Sequence, residues 1–436
     1  MASVSPRRRR EIIDALRRGT VPQRGLDVMA VGLDRFRPAL LEELDVTADG
    51  GAVFKAVRGE YGAGKTFFAR WLTETAKQRG FATAEVQISE TETPLHRLET
   101  IYRRLTENLS TEATAPSAFR DVIDGWLRVL EQDAIASGAN AGHRAEVTRR
   151  AEVLLEQRLA SVSRTAPAFA TALRGYHNAT SRGDVSTADG LVAWLGGQPH
   201  VAAGVRRGVG IRGDLDHFGA FGFLQGLLAV LRDSDYRGLV LVLDEVETLQ
   251  RVRSDVREKS LNALRQLLDE VDAGRFPGLY VLITGTPAFF EGTQGVQRLP
   301  PLAARISVDF SGDPRWDNPR APQVRLLGFQ RASLQELGER IRTIYASGSA
   351  GGDRIAALVS DDYLGALADT VAGRLGGRVG IAPRLYLRKL IDILDKIEQF
   401  PDFTPEDASK VTVGDAELND DERAAVVGVD GIPLDV

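Results

Sequence analysis

The sequence predicts an α/β protein: a parallel sheet sandwiched by helices, interrupted by a helical insertion and followed by a C-terminal helical lid. Three observations predict it. Short, near-continuous aliphatic runs such as "LVLVLDE" and "GLYVLITGT" alternate with helical spacing over residues 51–109 and 213–330. Strands apolar on both faces belong to a parallel sheet covered on both sides. Residues 110–212 are rich in Ala, Arg and Glu, with glycine breaks and no strong strand, and beyond Arg331 the apolar spacing becomes wholly helical.

The elements follow in order. Residues 6–18 form a helix with Ile12, Ile13, Ala15 and Leu16 apolar among arginines. Pro22, Gly25 and Gly32 then punctuate a loop, and Asp34–Leu44 is a second helix. "GAVFKAVRG" is a strand. "FFARWLTETAKQRG" is a helix with Phe68, Trp71, Leu72, Thr75 and Ala76 at helical spacing, stopped by Gly80. "ATAEVQIS" is a strand, and "PLHRLETIYRRLTENL" opens the helical region. "FGAFGFLQGLLAVLRDSDYRG" leads to the strand "LVLVLDE", a helix near Ser260–Ala273, the strand "GLYVLITGT", the break-rich "SGDPRWDNPRAPQ" and the strand "QVRLLGF". Three helical segments make the lid over 331–399, and an acidic, loosely packed tail fills 400–436. Residues 1–50 carry the N-terminal helices and a linker.

Composition narrows the classes. With 436 residues there is room for two or three packed units. The absence of cysteine excludes disulfides, zinc-thiolate sites and cysteine nucleophiles, and it fits a cytoplasmic location. The N-terminus lacks the apolar core of a signal peptide, and no apolar run reaches membrane-spanning length. A net charge of −5 excludes a polycation built to coat nucleic acid. The basic helix "PRRRREIIDALRRG" and the stretch "VRRGVGIRGD" are local exceptions, either DNA-phosphate contacts or solvated faces.

The chemistry begins at Gly59-Glu60-Tyr61-Gly62-Ala63-Gly64-Lys65-Thr66, a full G-x-x-x-x-G-K-[ST] match followed by Phe67. Glycines there let backbone N–H groups surround phosphate oxygens; Lys65 reaches the β- and γ-phosphates and Thr66 offers its hydroxyl to Mg²⁺. The helix that follows points its positive end at the anion. Asp244-Glu245, at the end of five aliphatic residues, stand at the strand edge where ligands bind. Asp244 suits the Mg²⁺ shell, and Glu245 suits orientation and deprotonation of the attacking water. Thr284 or Thr286 could report the γ-phosphate to the sheet. Arg305 could stabilise transition-state charge in a neighbouring subunit's site. Arg384, near the start of a lid helix with Arg388 on its face, could swing onto the γ-phosphate. ATP and Mg²⁺ are the implied ligands.

The ordered set of P-loop, acidic strand, threonine-tipped strand and arginine-bearing lid resembles an AAA+ P-loop NTPase of the origin-recognition and ExeA/TniB-like branch. "REIIDALRRGTVP", "RGEYGAGKTFFARWL", "YRGLVLVLDEVETLQR" and "GLYVLITGTPAFFEG" resemble the ATP-binding BrxD family of BREX phage-defence systems. That resemblance implies a cytoplasmic ATPase acting with other BREX proteins, among them a methyltransferase and a PglZ-type protein, against phage DNA. It also implies Walker A at Gly59–Thr66, Walker B at Asp244 and Glu245, and sensor 1 at Thr286. Arg305 becomes the finger, Arg384 sensor 2, and Val31 and Gly32 the adenine side. Origin-recognition relatives carry a winged helix after the lid; here the short acidic tail is too small and too negative for one.

Two functional readings emerge, with a third set aside. One is an Mg-ATP-hydrolysing motor that drives or licenses a DNA-defence complex, acting as a nucleotide-dependent homo-oligomer. The other is a nucleotide-gated scaffold that binds ATP with little turnover and recruits DNA or protein partners. A small-molecule kinase is disfavoured by the Asp-Glu pair and the chain's length.

Overall fold

The computed structural model describes residues 4–374, 383–418 and 423. Helix α1 (Pro6–Arg17) starts at Ser5, whose hydroxyl accepts the Arg8 N–H, with Pro6 in the first turn. Helix α2 (Arg37–Ala48) begins later than the sequence suggests, with Pro38 in its first turn and no side-chain cap before it. Strand β1 (Ala52–Arg58) runs through the glycine loop into α3 (Lys65–Gln78), and β2 (Ala82–Gln87) leads to α4 (Leu98–Glu107).

The insertion comprises α5 (Phe119–Ala136), α6 (Arg144–Arg158), α7 (Ala160–Thr165), α8 (Pro167–Arg182), α9 (Val185–Leu195) and α10 (Ala203–Gly208). Helix α11 (His217–Asp233) returns the chain to β3 (Leu239–Asp244). Then come α12 (Ser254–Asp272), β4 (Leu279–Gly285), α13 (Pro287–Glu291), α14 (Pro300–Ile306) and β5 (Gln323–Arg325).

All strands are parallel, in the order β2-β3-β4-β1-β5. Side chains alternate between two cores. Ala56, Leu241, Leu243, Val281 and Ile283 face α4, α11, α12 and the insertion. Val57, Val240, Val242, Tyr280 and Leu282 face α2 and α3. Phe223 of α11 meets Tyr102, Phe169 and Trp194 edge-on at 5.7, 5.2 and 5.2 Å, so the insertion shares one core with the sheet. This is the parallel sheet covered by helices on both faces that the sequence predicts, with further helices between α4 and α11 and again after β5.

The lid is α15 (Arg331–Ala346), α16 (Gly352–Leu358), α17 (Asp361–Arg374) and α18 (Pro383–Gln399). Its core also takes Ile12, Ile13 and Leu16 from α1. The Arg9 guanidinium donates to the Ile344 and Tyr345 carbonyls and lies 5.2 Å from the Tyr345 ring centre, and Arg17 grips Asp395 at 2.8 Å.

Two expectations are corrected. "QVRLLGF" is a strand only as far as Arg325; Leu326 to Phe329 leave the sheet to line a cavity. The tail is not loose over 401–418, where Ala408, Val413 and Leu418 are buried against the lid and Glu417 pairs with Lys389 at 2.8 Å. Short-range acidity hid those spaced apolar anchors.

Candidate functional site

The β-register sets the site. Because β4 lies between β1 and β3, Thr284 sits at the sheet edge between the glycine loop and Asp244, and Gln87 is level with Asp244 on β2. Gly62 and Gly64 have φ of 79° and 90°, left-handed values that glycine adopts without steric cost. They fold the loop back so that Lys65 opens α3.

Thr66 donates to Asp244 Oδ2 at 3.0 Å, and Thr284 donates to Asp244 Oδ1. The Thr284 hydroxyl also accepts the Glu245 backbone N–H at 3.1 Å. Asp244 is 4% exposed, so hydroxyls fix both carboxylate oxygens inside the fold. Glu245 has φ 60° and ψ 44°, an uncommon left-handed conformation for a residue with a side chain. It reverses the chain directly after the strand, so consecutive carboxylates diverge. Asp244 points to Thr66, while Glu245 accepts from Gln87 Nε2 at 2.8 Å.

The Lys65 ammonium donates to the Gly59 carbonyl at 3.0 Å, approaches that of Glu60 at 3.4 Å, and lies 4.9 Å from the Tyr61 ring centre. A Glu247 oxygen is 3.5 Å away. Burial pushes the Glu247 carboxyl above the ordinary glutamate range, and the Lys65 charge opposes that rise.

A cavity of about 610 Å³ opens beside this edge, within the size range of small-molecule sites. The loop residues Tyr61 to Phe67, Glu245 and Glu247 form its floor; Val31, Gly32, Thr20 and Pro22 line one wall; Phe329, Gln330, Ser333 and Arg384 line the lid side. Val31, Phe67 and Phe329 also pack on the lid core, which ties the cavity wall to the lid. Arg384 donates to the Glu417 carbonyl at 2.7 Å. Arg388 lies against the position of Gly19.

The structure therefore brings Gly62, Ala63, Gly64, Lys65, Thr66, Glu245, Val31, Gly32 and Arg384 to one cavity, with Asp244 bonded at its edge. It does not bring Thr286 or Arg305 there. Thr286 caps α13 by accepting the Phe289 N–H at 3.4 Å. Arg305 is paired with Asp269 and, at 3.4 Å, with Asp272.

Sequence reasoning misses Gln87 and Glu74. Glu74 accepts the Gly25 and Leu26 N–H groups at 2.7 and 2.8 Å and so anchors the linker that carries Val31. An acid three residues after Trp71, on the apolar side of α3, was the available signal. Gln87 carries no such signal; only the alignment of β2 with β3 reveals it.

Thr66 and Asp244 are a suitable protein share of a Mg²⁺ site, because Mg²⁺ keeps waters and is completed by substrate phosphates. Among the described residues no larger cluster of His, Asp or Glu suits a metal, and no helix is long and apolar enough to cross a membrane.

The BREX system ATP-binding protein BrxC/D family matches the chain over residues 4–413. Among solved structures, the chain is similar to the ORC2 protein of Aeropyrum pernix, described in ADPNP-ADP complexes. That likeness has 12% identity and a TM-score of 0.33, over 83% of this chain and 67% of that one. No curated protein matches.

Proposed function

The chain belongs to the BREX system ATP-binding protein BrxC/D family, and from that premise we propose that it binds Mg-ATP in the cavity beneath the lid and hydrolyses it to drive or license a BREX defence complex. The observation that carries this reading is the convergence of Lys65, Thr66, Asp244 and Glu245 on one edge of a nucleotide-sized cavity.

The loop N–H groups from Gly59 to Thr66 would cradle the phosphates, and Lys65 would turn from the Gly59 carbonyl to the β- and γ-oxygens. Mg²⁺ would supply positive charge that offsets the charge developing on the phosphates. Thr66 and Asp244 would hold it. Glu245 would accept the proton of the attacking water once it leaves Gln87. Thr284 is a better γ-phosphate reporter than Thr286, since it already links Asp244 to the Glu245 backbone. Val31 and Gly32 would face the adenine, and Arg384 would couple the phosphates to the lid. Arg305 would act only in a neighbouring subunit, after leaving Asp269 and Asp272.

Glu245→Gln should retain ATP binding and lose turnover by about a hundredfold or more. A wild-type protein that releases no phosphate from ATP, alone or with duplex DNA and BREX partners, would sink the hydrolytic reading.

The nucleotide-gated scaffold keeps a place because Glu245 is tied to Gln87 and Arg305 to α12. Light scattering with Mg-ATP separates the two. A monomer with tight binding and negligible turnover supports the scaffold; an assembly whose turnover vanishes in Arg305→Ala supports the motor.

DNA contact through α1 would fall on the exposed Arg7 and Arg10. Arg7 pairs with Glu11, Arg8 with Asp27 and Glu74, Arg9 with carbonyls and Arg17 with Asp395.

A further inference from the structure

We propose that Glu247 competes with bound phosphates for Lys65 and thereby sets how strongly the site discriminates between a nucleoside triphosphate and a diphosphate. The inference rests on the nucleotide reading of the cavity and adds to it a residue that determines specificity.

Glu247 lines the cavity, is 4% exposed, and has an oxygen 3.5 Å from the Lys65 ammonium. Neither carboxylate oxygen accepts a hydrogen bond from another residue, and the Glu247 backbone N–H supports the charge less than Lys65 does. A buried anion with no donor from another residue needs an opposite charge close by, and Lys65 is that charge.

The backbone that carries the carboxylate is also held in place. Glu247 sits on the turn Val246–Gln250, which Arg257 clamps by donating to the carbonyls of Leu249, Gln250 and Val252 at 3.0, 2.9 and 2.8 Å. Thr248 adds a bond to the Glu245 carbonyl at 3.0 Å. The backbone that carries Glu247 therefore stays beside the cavity when the lysine moves.

Arriving phosphates must take Lys65 from this carboxylate, and the carboxylate stays in the wall as a like charge. In a P-loop the β-phosphate is already met by backbone N–H groups, whereas the γ-phosphate reaches outward toward the lysine and the acidic turn. The repulsion therefore weighs more on a triphosphate than on a diphosphate. Burial raises the Glu247 carboxyl and Lys65 holds it down, which agrees with an anion that depends on the lysine.

The test is calorimetric titration of the full chain with Mg²⁺ and either the β,γ-imido analogue of ATP or ADP. Glu247→Gln should tighten the imido triphosphate by about tenfold or more and ADP by a smaller factor. In a Lys65→Met background the part of the gain that both nucleotides share should shrink, because the competition needs the lysine, while the extra gain of the triphosphate should remain, because the repulsion does not. Glu247→Leu, which fills the buried position without charge, should reproduce the order should the glutamine variant not fold. If wild type binds both nucleotides and neither variant favours the triphosphate, the proposal is overturned while the nucleotide reading stands. If wild type binds neither, the nucleotide reading fails and takes this inference with it.

Discussion

Asp244 shows a carboxylate arranged for use: two threonine hydroxyls, from a helix and from a neighbouring strand, hold its oxygens at the sheet edge. Lys55 shows the opposite case, a charge serving the fold. It is 1% exposed, pairs with Glu43 at 2.5 Å, and donates to the Pro319 and Ala321 carbonyls at 3.0 and 2.6 Å. Tyr280 donates to the other Glu43 oxygen at 2.6 Å. Burial still lifts the Glu43 carboxyl above its ordinary value of 4.5, against the pull of Lys55. Lys55→Met removes that pull and should cost about 3 kcal/mol at neutral pH. An acid whose pKa is raised by folding favours the folded state while protonated, and this advantage is lost as pH rises above 4.5. The variant's deficit in melting temperature should therefore narrow as pH falls from 7 toward 4.5, and a deficit independent of pH would refute the account.

At the scale of elements, α3 does two jobs. Its N-terminus carries Lys65 and Thr66, and one face further along carries Glu74, which holds the backbone of the Gly25–Leu26 linker. Arg70 adds a bond to the Val21 carbonyl at 2.8 Å. The helix that follows the glycine loop thus also fixes the segment bearing Val31 and Gly32. Glu74→Ala would strand two linker N–H groups, at a cost of about 1–3 kcal/mol. Nucleotide affinity should fall with it, read by titration at a temperature where the variant is folded. Unchanged affinity would show that the linker is held by other contacts. The clamp of Arg257 on the 246–252 turn follows the same logic, with one helix fixing the backbone that aims an acid.

At the scale of the molecule, the chain's first helix completes the last domain's core. Ile12, Ile13 and Leu16 bury their side chains among α15 and α18, and burial of each contributes about 1.5–3 kcal/mol. The lid, the linker and the glycine loop then enclose one cavity, so a ligand bound there would be linked to lid packing. Deleting residues 1–18 should expose the apolar lid face, lower the melting temperature and raise binding of a hydrophobic dye. A truncated chain that melts with the full-length protein would show the lid core to be self-sufficient.

Much of this was legible in the sequence because its causes are local. A glycine loop needs its glycines and lysine at fixed spacing, a buried strand needs consecutive aliphatic residues, and a helix repeats its apolar positions every three or four residues; each signature lies within a short window. The fold class and the cluster around Lys65, Thr66, Asp244 and Glu245 follow from such windows. Tertiary structure alone decided which groups meet across the chain. Only strand order puts Thr284, rather than Thr286, on Asp244, and Gln87 on Glu245. Only packing buries Glu247 against Lys65, ties Arg305 to α12 and draws α1 into the lid. Those pairings depend on distances between segments far apart in sequence, and no local pattern of residues encodes them.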